Sequence, residues 1–160
     1  MAHESDAKRI CDLWPGSGDK LMSRFEAFET VGIDEATHLA SAREAFPGAM
    51  WVEAGIIEPQ LFAGFDLVIC ANVLEHLAEP DVLMDALARS DVESVVFSTP
   101  ERNALLQADG RSFGPPQAAN RYFEWTSAEF ARFVDTYFDV VGQHVSSHDD
   151  TSQLLHARRR

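Results

Sequence analysis

The sequence predicts an α/β fold: one doubly wound, mostly parallel sheet of seven strands in a single domain spanning residues 1–160. Three observations carry this expectation. Short apolar runs alternate with stretches whose apolar residues recur at helical spacing, the order that lays helices on both faces of a parallel sheet. The run Phe65-Asp66-Leu67-Val68-Ile69-Cys70 is almost wholly apolar, as a strand covered on both faces has to be. The length of 160 residues suffices for one hydrophobic core and is too short for two ordinary domains.

The elements follow in order. Residues 9–13 read as the first strand, and Trp14-Pro15-Gly16-Ser17-Gly18 as the loop after it. Leu21, Phe25 and Phe28 then stand at i, i+4 and i+7, one face of a helix. Residues 30–33 form the second strand, ending at Asp34, and the next helix runs to about Phe46, where Pro47-Gly48 stops it. Residues 50–54 form a third strand and 65–70 a fourth. Pro80 opens a helix, with Glu79 and Asp81 favoured at its positive end and Val82, Leu83, Ala86 and Leu87 as its buried stripe. Residues 92–98 make strand five, and residues 99–125, rich in Gly, Pro, Asn and Gln, read as a long functional or mobile loop. Thr126 and Glu129 form a T-x-x-E capping box for a helix with the stripe Phe130, Phe133, Val134 and Tyr137. Residues 140–145 and 153–157 complete the sheet as two strands joined by a polar turn.

Composition narrows the function. Hydrophobic residues make up 46% and charged residues 24%, the balance of a folded chain. A net charge of -13 repels phosphates and argues against a nucleic-acid surface unless a local basic patch exists. The run Arg158-Arg159-Arg160 is expected to be a frayed, solvated basic tail. Cys11 and Cys70 both lie in apolar runs and read as small buried hydrophobes of a reducing compartment, not as a disulfide. No apolar stretch approaches the roughly 18 residues of a membrane span, and residues 1–6 are too polar for a signal peptide. A cytoplasmic protein without membrane contact is expected.

Several stretches carry a resemblance. Phe65-Asp66-Leu67-Val68-Ile69-Cys70-Ala71-Asn72-Val73-Leu74-Glu75-His76-Leu77 looks like a strand followed by a V-L-E-H-L turn. Asp12-Leu13-Trp14-Pro15-Gly16-Ser17-Gly18 looks like an acid, a spacer and alternating glycines, and Val31-Gly32-Ile33-Asp34 like a second motif. Ser98-Thr99-Pro100-Glu101-Arg102 and Glu124-Trp125-Thr126 add two more in the same order. In this order and spacing they resemble the class I S-adenosylmethionine-dependent methyltransferases from about Lys8 to Arg158. That resemblance implies the Rossmann-like methyltransferase fold and S-adenosylmethionine as cofactor. Asp12, Gly16, Gly18 and Asp34 would hold it, with Asn72, Val73 and Leu74 at its border.

The residue types suit that ligand. Gly16 and Gly18 let backbone approach closely, Asp12 offers an acceptor to an ammonium group, and Asp34 closes the second strand, where doubly wound folds place an acid on ribose hydroxyls. Gly16 and Asn72 should face each other at the switch point between strands one and four. A nicotinamide dinucleotide fits less well, because the third glycine position of its fingerprint holds Leu21. Two positions depart from the family pattern: Trp14 and Pro15 stand at the start of the glycine loop, and Gly55 stands where relatives often place an aspartate on the adenine. Barely eight residues precede the first strand. Cover for the cleft is therefore expected from residues 99–125, from a homodimer or partner chain, or not at all.

His76 is the candidate general base, since a neutral imidazole takes a proton from an oxygen acceptor near neutral pH; alternatively it orders the turn. Methyl transfer needs positioning and no metal. His144, His148, Asp149 and Asp150 fall in a polar turn without matching ligands, so solvation is the reading there. Tyr122, Glu124 and Trp125 either line an acceptor pocket or, for Trp125, pack under the last helix. The functional expectation is a methyltransferase for a small-molecule or sugar-type oxygen or nitrogen acceptor. The alternative is a catalytically inactive methyltransferase-like domain serving as a subunit or scaffold.

Overall fold

The computed structural model describes residues 8–16, 18, 28–55, 57–145 and 151–160. Its strands are β1 (Arg9–Leu13), β2 (Glu29–Asp34), β3 (Met50–Glu53), β4 (Leu67–Ala71), β5 (Ser94–Pro100), β6 (Asp139–Val145) and β7 (Ser152–Arg158). They form one seven-stranded sheet in the order β3-β2-β1-β4-β5-β7-β6. The pairs from β3 to β5 are parallel, and β7 runs antiparallel to both of its neighbours. The helices are α1 (Ala36–Ala45), α2 (Pro80–Arg89), α3 (Arg102–Ala108) and α4 (Ser127–Asp135).

Strand alternation builds a core on each face. Cys11, Leu13, Val31, Val68 and Cys70 join Leu83, Met84 and Leu87 of α2 and Phe130 and Val134 of α4 in the larger core. Ile10, Leu67, Ile69 and Val96 form the smaller one, against which Phe28, Ala71 and Leu154 pack. Asp12 lies one residue from each of Cys11 and Leu13, so the same alternation turns its carboxylate to the other face of the sheet.

Several expectations are corrected in detail. Val82 is 54% exposed, and Met84 takes its place in the buried stripe of α2. The expected loop over 99–125 contains α3. Its N-cap is Glu101, whose Oε2 accepts from Ala104 N at 2.8 Å while Oε1 accepts from Ser127 N at 3.2 Å, so one carboxylate serves two helix starts. The basic end is not frayed: Arg158 belongs to β7, and the Arg160 guanidinium donates to Asp139 Oδ1 and to the Thr136 carbonyl, each at 3.2 Å. The helix expected around Leu21 and Phe25 lies outside the described residues, as do His148, Asp149 and Asp150. The capping box of α4 forms as expected: Thr126 Oγ1 accepts from Glu129 N and Glu129 Oε2 accepts from Thr126 N.

At Gly32 the absence of a side chain is a packing requirement. A Cβ there would stand 2.3 Å from Cζ3 of Trp51, the cross-strand neighbour, whose indole Nε1 donates to the Phe46 carbonyl. Gly32→Ala must displace a whole indole, and is expected to cost about 1–3 kcal/mol by overpacking. Urea denaturation checks this; a variant as stable as the parent would show that Trp51 moves aside freely.

Candidate active site

In an open parallel sheet, ligands bind outside the carboxyl ends of the strands at the point where the strand order reverses. Here β1 and β4 are neighbours, the chain continuing from β1 to β2 on one side and from β4 to β5 on the other. A cavity of about 320 Å³ opens at that crevice, lined by Trp14, Gly16, Asp34, Glu35, His38, Asn72, Val73, His76 and Leu77. The expected meeting of Gly16 and Asn72 at the switch point is therefore present.

The turn after β1 is built from unusual backbone. Trp14 takes φ +53°, Gly16 +59° and Gly18 +77°. The left-handed Trp14 explains physically why a glycine suits this position: a bulky side chain there costs on the order of 1–3 kcal/mol. Trp14 N donates to the Ile33 carbonyl at 2.7 Å, extending the β1–β2 ladder, and its indole both lines the cavity and packs against the larger core. Among the described residues nothing stands within 4 Å of where a Gly16 side chain would project, which leaves this backbone open to a ligand on that side. Gly18 instead tightens the turn, its N–H donating to the Pro15 carbonyl at 3.0 Å, and it does not line the cavity.

Asp34 is 1% exposed, and its carboxylate is already engaged. Oδ2 accepts from Gly16 N at 3.0 Å; Oδ1 accepts from Glu35 N at 2.7 Å and pairs with His38 Nδ1 at 2.9 Å. The hydrogen bond and charge of Asp34 hold His38 above the usual imidazole range. His38, one helical turn beyond Asp34, is a cavity residue that the sequence reading missed. Its 60% exposed side chain is the displaceable one of the three donors.

Asp12 is the opposite case. It is 1% exposed, and among the described residues neither carboxylate oxygen has a hydrogen-bond partner. Burial, and then the charge of Asp34, push its pKa up to about 7. Asp12 is not one of the residues that line the cavity, and stands two positions before Trp14, which does. Leu74, expected at the border, is a fully buried core residue; Val73, His76 and Leu77 face the cavity instead.

The β4–α2 turn carries the remaining groups. Asn72 adopts φ +55°, a conformation Asn tolerates, and its Oδ1 accepts from Ser98 Oγ at 3.3 Å. His76 Nδ1 lies 2.6 Å from the Asn120 carbonyl. A carbonyl only accepts, so Nδ1 carries a proton, and in the neutral imidazole the lone pair is on Nε2. Nε2 is 3.9 Å from Oε1 of Glu75, a carboxylate 1% exposed whose pKa burial raises and whose Oε2 is unpartnered. Residues 120–123 button onto this turn, since Tyr122 N and Phe123 N both donate to the Glu75 carbonyl. Tyr122 is exposed, Glu124 pairs with Arg121 at 3.5 Å, and Trp125 stacks between Phe123 and Phe133 in a packing role. Among the described residues, no group of three or more His, Cys, Asp or Glu is placed to hold a metal ion. None of the described helices is long and apolar enough to cross a membrane.

No protein-family model and no curated protein matches this chain. Solved structures do match its fold. The methyltransferase domain of bacterial CtHen1-CN superposes with a TM-score of 0.74 at 19% identity, over 98% of this chain and 93% of that one. An S-adenosylmethionine-dependent methyltransferase from Clostridium acetobutylicum gives 0.76 at 11% identity, covering 99% and 87%. Magnesium protoporphyrin IX methyltransferase from Synechocystis, with S-adenosylhomocysteine bound, gives 0.69 at 20% identity, covering 94% and 74%. The chain therefore has the class I methyltransferase fold, as its motif order implies.

Proposed function

We propose that the chain, read as one methyltransferase-like domain over residues 1–160, transfers a methyl group from S-adenosylmethionine to a small-molecule or sugar-type oxygen or nitrogen acceptor. The observation that carries this reading is the cavity at the β1–β4 crevice, where an open glycine turn meets Asp34 and His76, with the buried Asp12 carboxyl on the strand that leads into that turn. The fit follows from the chemistry of these groups. A buried acid without a donor suits a ligand that brings an ammonium. Among the described residues Asp34 Oδ2 accepts one hydrogen bond and keeps a lone pair for a hydroxyl, and Oδ1 frees another if His38 swings out. Val73 and Leu77 supply apolar wall.

Bound there, the cofactor would supply an electrophilic methyl group. The chain's own residues would hold it through Asp12, Gly16, Asp34, Asn72 and Val73, while His76 Nε2 takes the acceptor's proton. Gly18 supports the turn. Two buried free thiols suit a reducing compartment, and the cytoplasm is the location this reading assigns. The same reading includes a homodimer or partner chain covering the open side of the cleft.

One observation favours a second reading. Trp14 lines the cavity, so its indole competes for ligand space, and an inactive scaffold domain would tolerate that. Calorimetric titration with S-adenosylmethionine and, separately, NAD separates the cases. Wild type is expected to bind S-adenosylmethionine and not NAD. Asp34→Ala should weaken binding by about 1.5–3 kcal/mol, the range for hydrogen bonds to charged groups. An unchanged affinity in that variant would remove Asp34 from the site. Binding seen only in Trp14→Gly would establish the scaffold reading.

A further inference from the structure

We propose that Asp12 is a neutral acid in the ligand-free protein and gives its proton to solvent when the ammonium group of the cofactor binds, so that binding is proton-coupled. The inference rests on the cofactor reading above and adds a linkage that the reading does not require.

The geometry carries it. Asp12 sits in β1 between Gly32 of β2 and Ile69 of β4, neither of which has a side-chain donor. Both carboxylate oxygens are buried and have no hydrogen-bond partner among the described residues. Among the described residues, the titratable groups acting around it are Asp34 from β2, Cys11 from its own strand and Cys70 from β4. Asp34 repels its charge, and burial holds both thiols protonated. His38 of α1 is paired with Asp34, and the Arg9 guanidinium is held by Glu29 and the Phe65 ring. No described cation therefore compensates an Asp12 carboxylate. Asp34, equally buried, stays satisfied through three internal donors, so the unmet charge belongs to Asp12.

An arriving ammonium group supplies the missing compensation. The O–H bond of Asp12 breaks, its electron pair stays on the carboxylate beside the cation, and the proton leaves to solvent. With the free acid titrating near pH 7, the ligand competes with a proton below that pH and not above it. Affinity should thus rise roughly tenfold between pH 6 and pH 8 and then level off.

The test titrates wild-type protein with S-adenosylhomocysteine from pH 5.5 to 8.5, in phosphate and in Tris, whose different ionisation heats count the protons released. Most of one proton released at pH 6, falling to almost none at pH 8.5, is the expected result. Methylthioadenosine, which lacks the ammonium, should bind with no proton release. Asp12→Asn should flatten the pH dependence and His38→Asn should keep it. A pH-independent wild-type affinity without proton release overturns the linkage and leaves the cofactor reading standing. Failure to bind at any pH overturns both. An unaltered slope in Asp12→Asn overturns the assignment and moves it to His38. Should Asp12→Asn not fold, the comparison of the two ligands on wild type decides alone, equal proton release from both being the contrary result.

Discussion

Asp12→Asn is expected to make the folded chain more stable at pH 8, by on the order of 3–4 kcal/mol, and to change little at pH 3.5. Asp12 is pushed up from an ordinary carboxyl to about 7, first by burial and then by Asp34. In the unfolded chain it ionises near its ordinary value. Between those two values the native state holds a proton that the unfolded state has lost, so stability falls as pH rises through this window. The loss is complete above pH 7 and absent below the unfolded value. An amide of the same shape carries no charge to desolvate, so the variant escapes that loss. Asp66 and Glu129, whose pKa values are lowered by hydrogen bonds from backbone N–H groups, act in the opposite sense and weaken the fold on acidification. They are common to both proteins and cancel in the difference. Urea denaturation of parent and variant across pH 3.5–8 measures it. A variant less stable than the parent at pH 8 would mean that the carboxylate has a stabilising partner, and the orphaned-acid description would fail.

A destabilising acid in a strand otherwise filled with Ile10, Cys11 and Leu13 is legible in the sequence as an anomaly, because a core strand has no packing reason to hold it. What the sequence does not reveal is that Asp12 and Asp34, similar on paper, live in opposite environments. The difference comes from three donors converging on Asp34, and one of them, His38, is visible only once α1 is known to begin at Ala36 and to place it one turn away. The strands with dense apolar runs, β4 above all, were legible because burial on both faces leaves no room for polar alternation. Helix α3 was not, because its cap Glu101 is a weak N-cap residue type that works here through a shared contact with α4. Leu74 has the motif position of a cleft residue. The short 3-10 turn Leu74–His76 rotates its side chain into the core and leaves Val73 and His76 at the cavity.

That turn also sets the last expectation, the loss of roughly 10²-fold in turnover for His76→Ala with cofactor affinity almost unchanged. The imidazole is oriented before any ligand arrives: the Asn120 carbonyl fixes the proton on Nδ1 and leaves Nε2 as the acceptor. The Glu75 carboxyl, 3.9 Å from Nε2, adds negative potential once ionised and would stabilise the imidazolium formed when an acceptor hydroxyl gives up its proton. A methyl acceptor has first to be found by screening hydroxylated and aminated small molecules; single-turnover rates of parent and variant then give the effect. The pH profile separates chemistry from architecture. Loss of a base removes the rate limb that depends on a deprotonated group, whereas loss of the Asn120 anchor alone lowers the rate by a constant factor at every pH. Wild-type turnover in His76→Ala across the whole range would assign the residue to holding residues 120–123 in place. The acceptor would then be an amine already carrying its lone pair, for which no base is required.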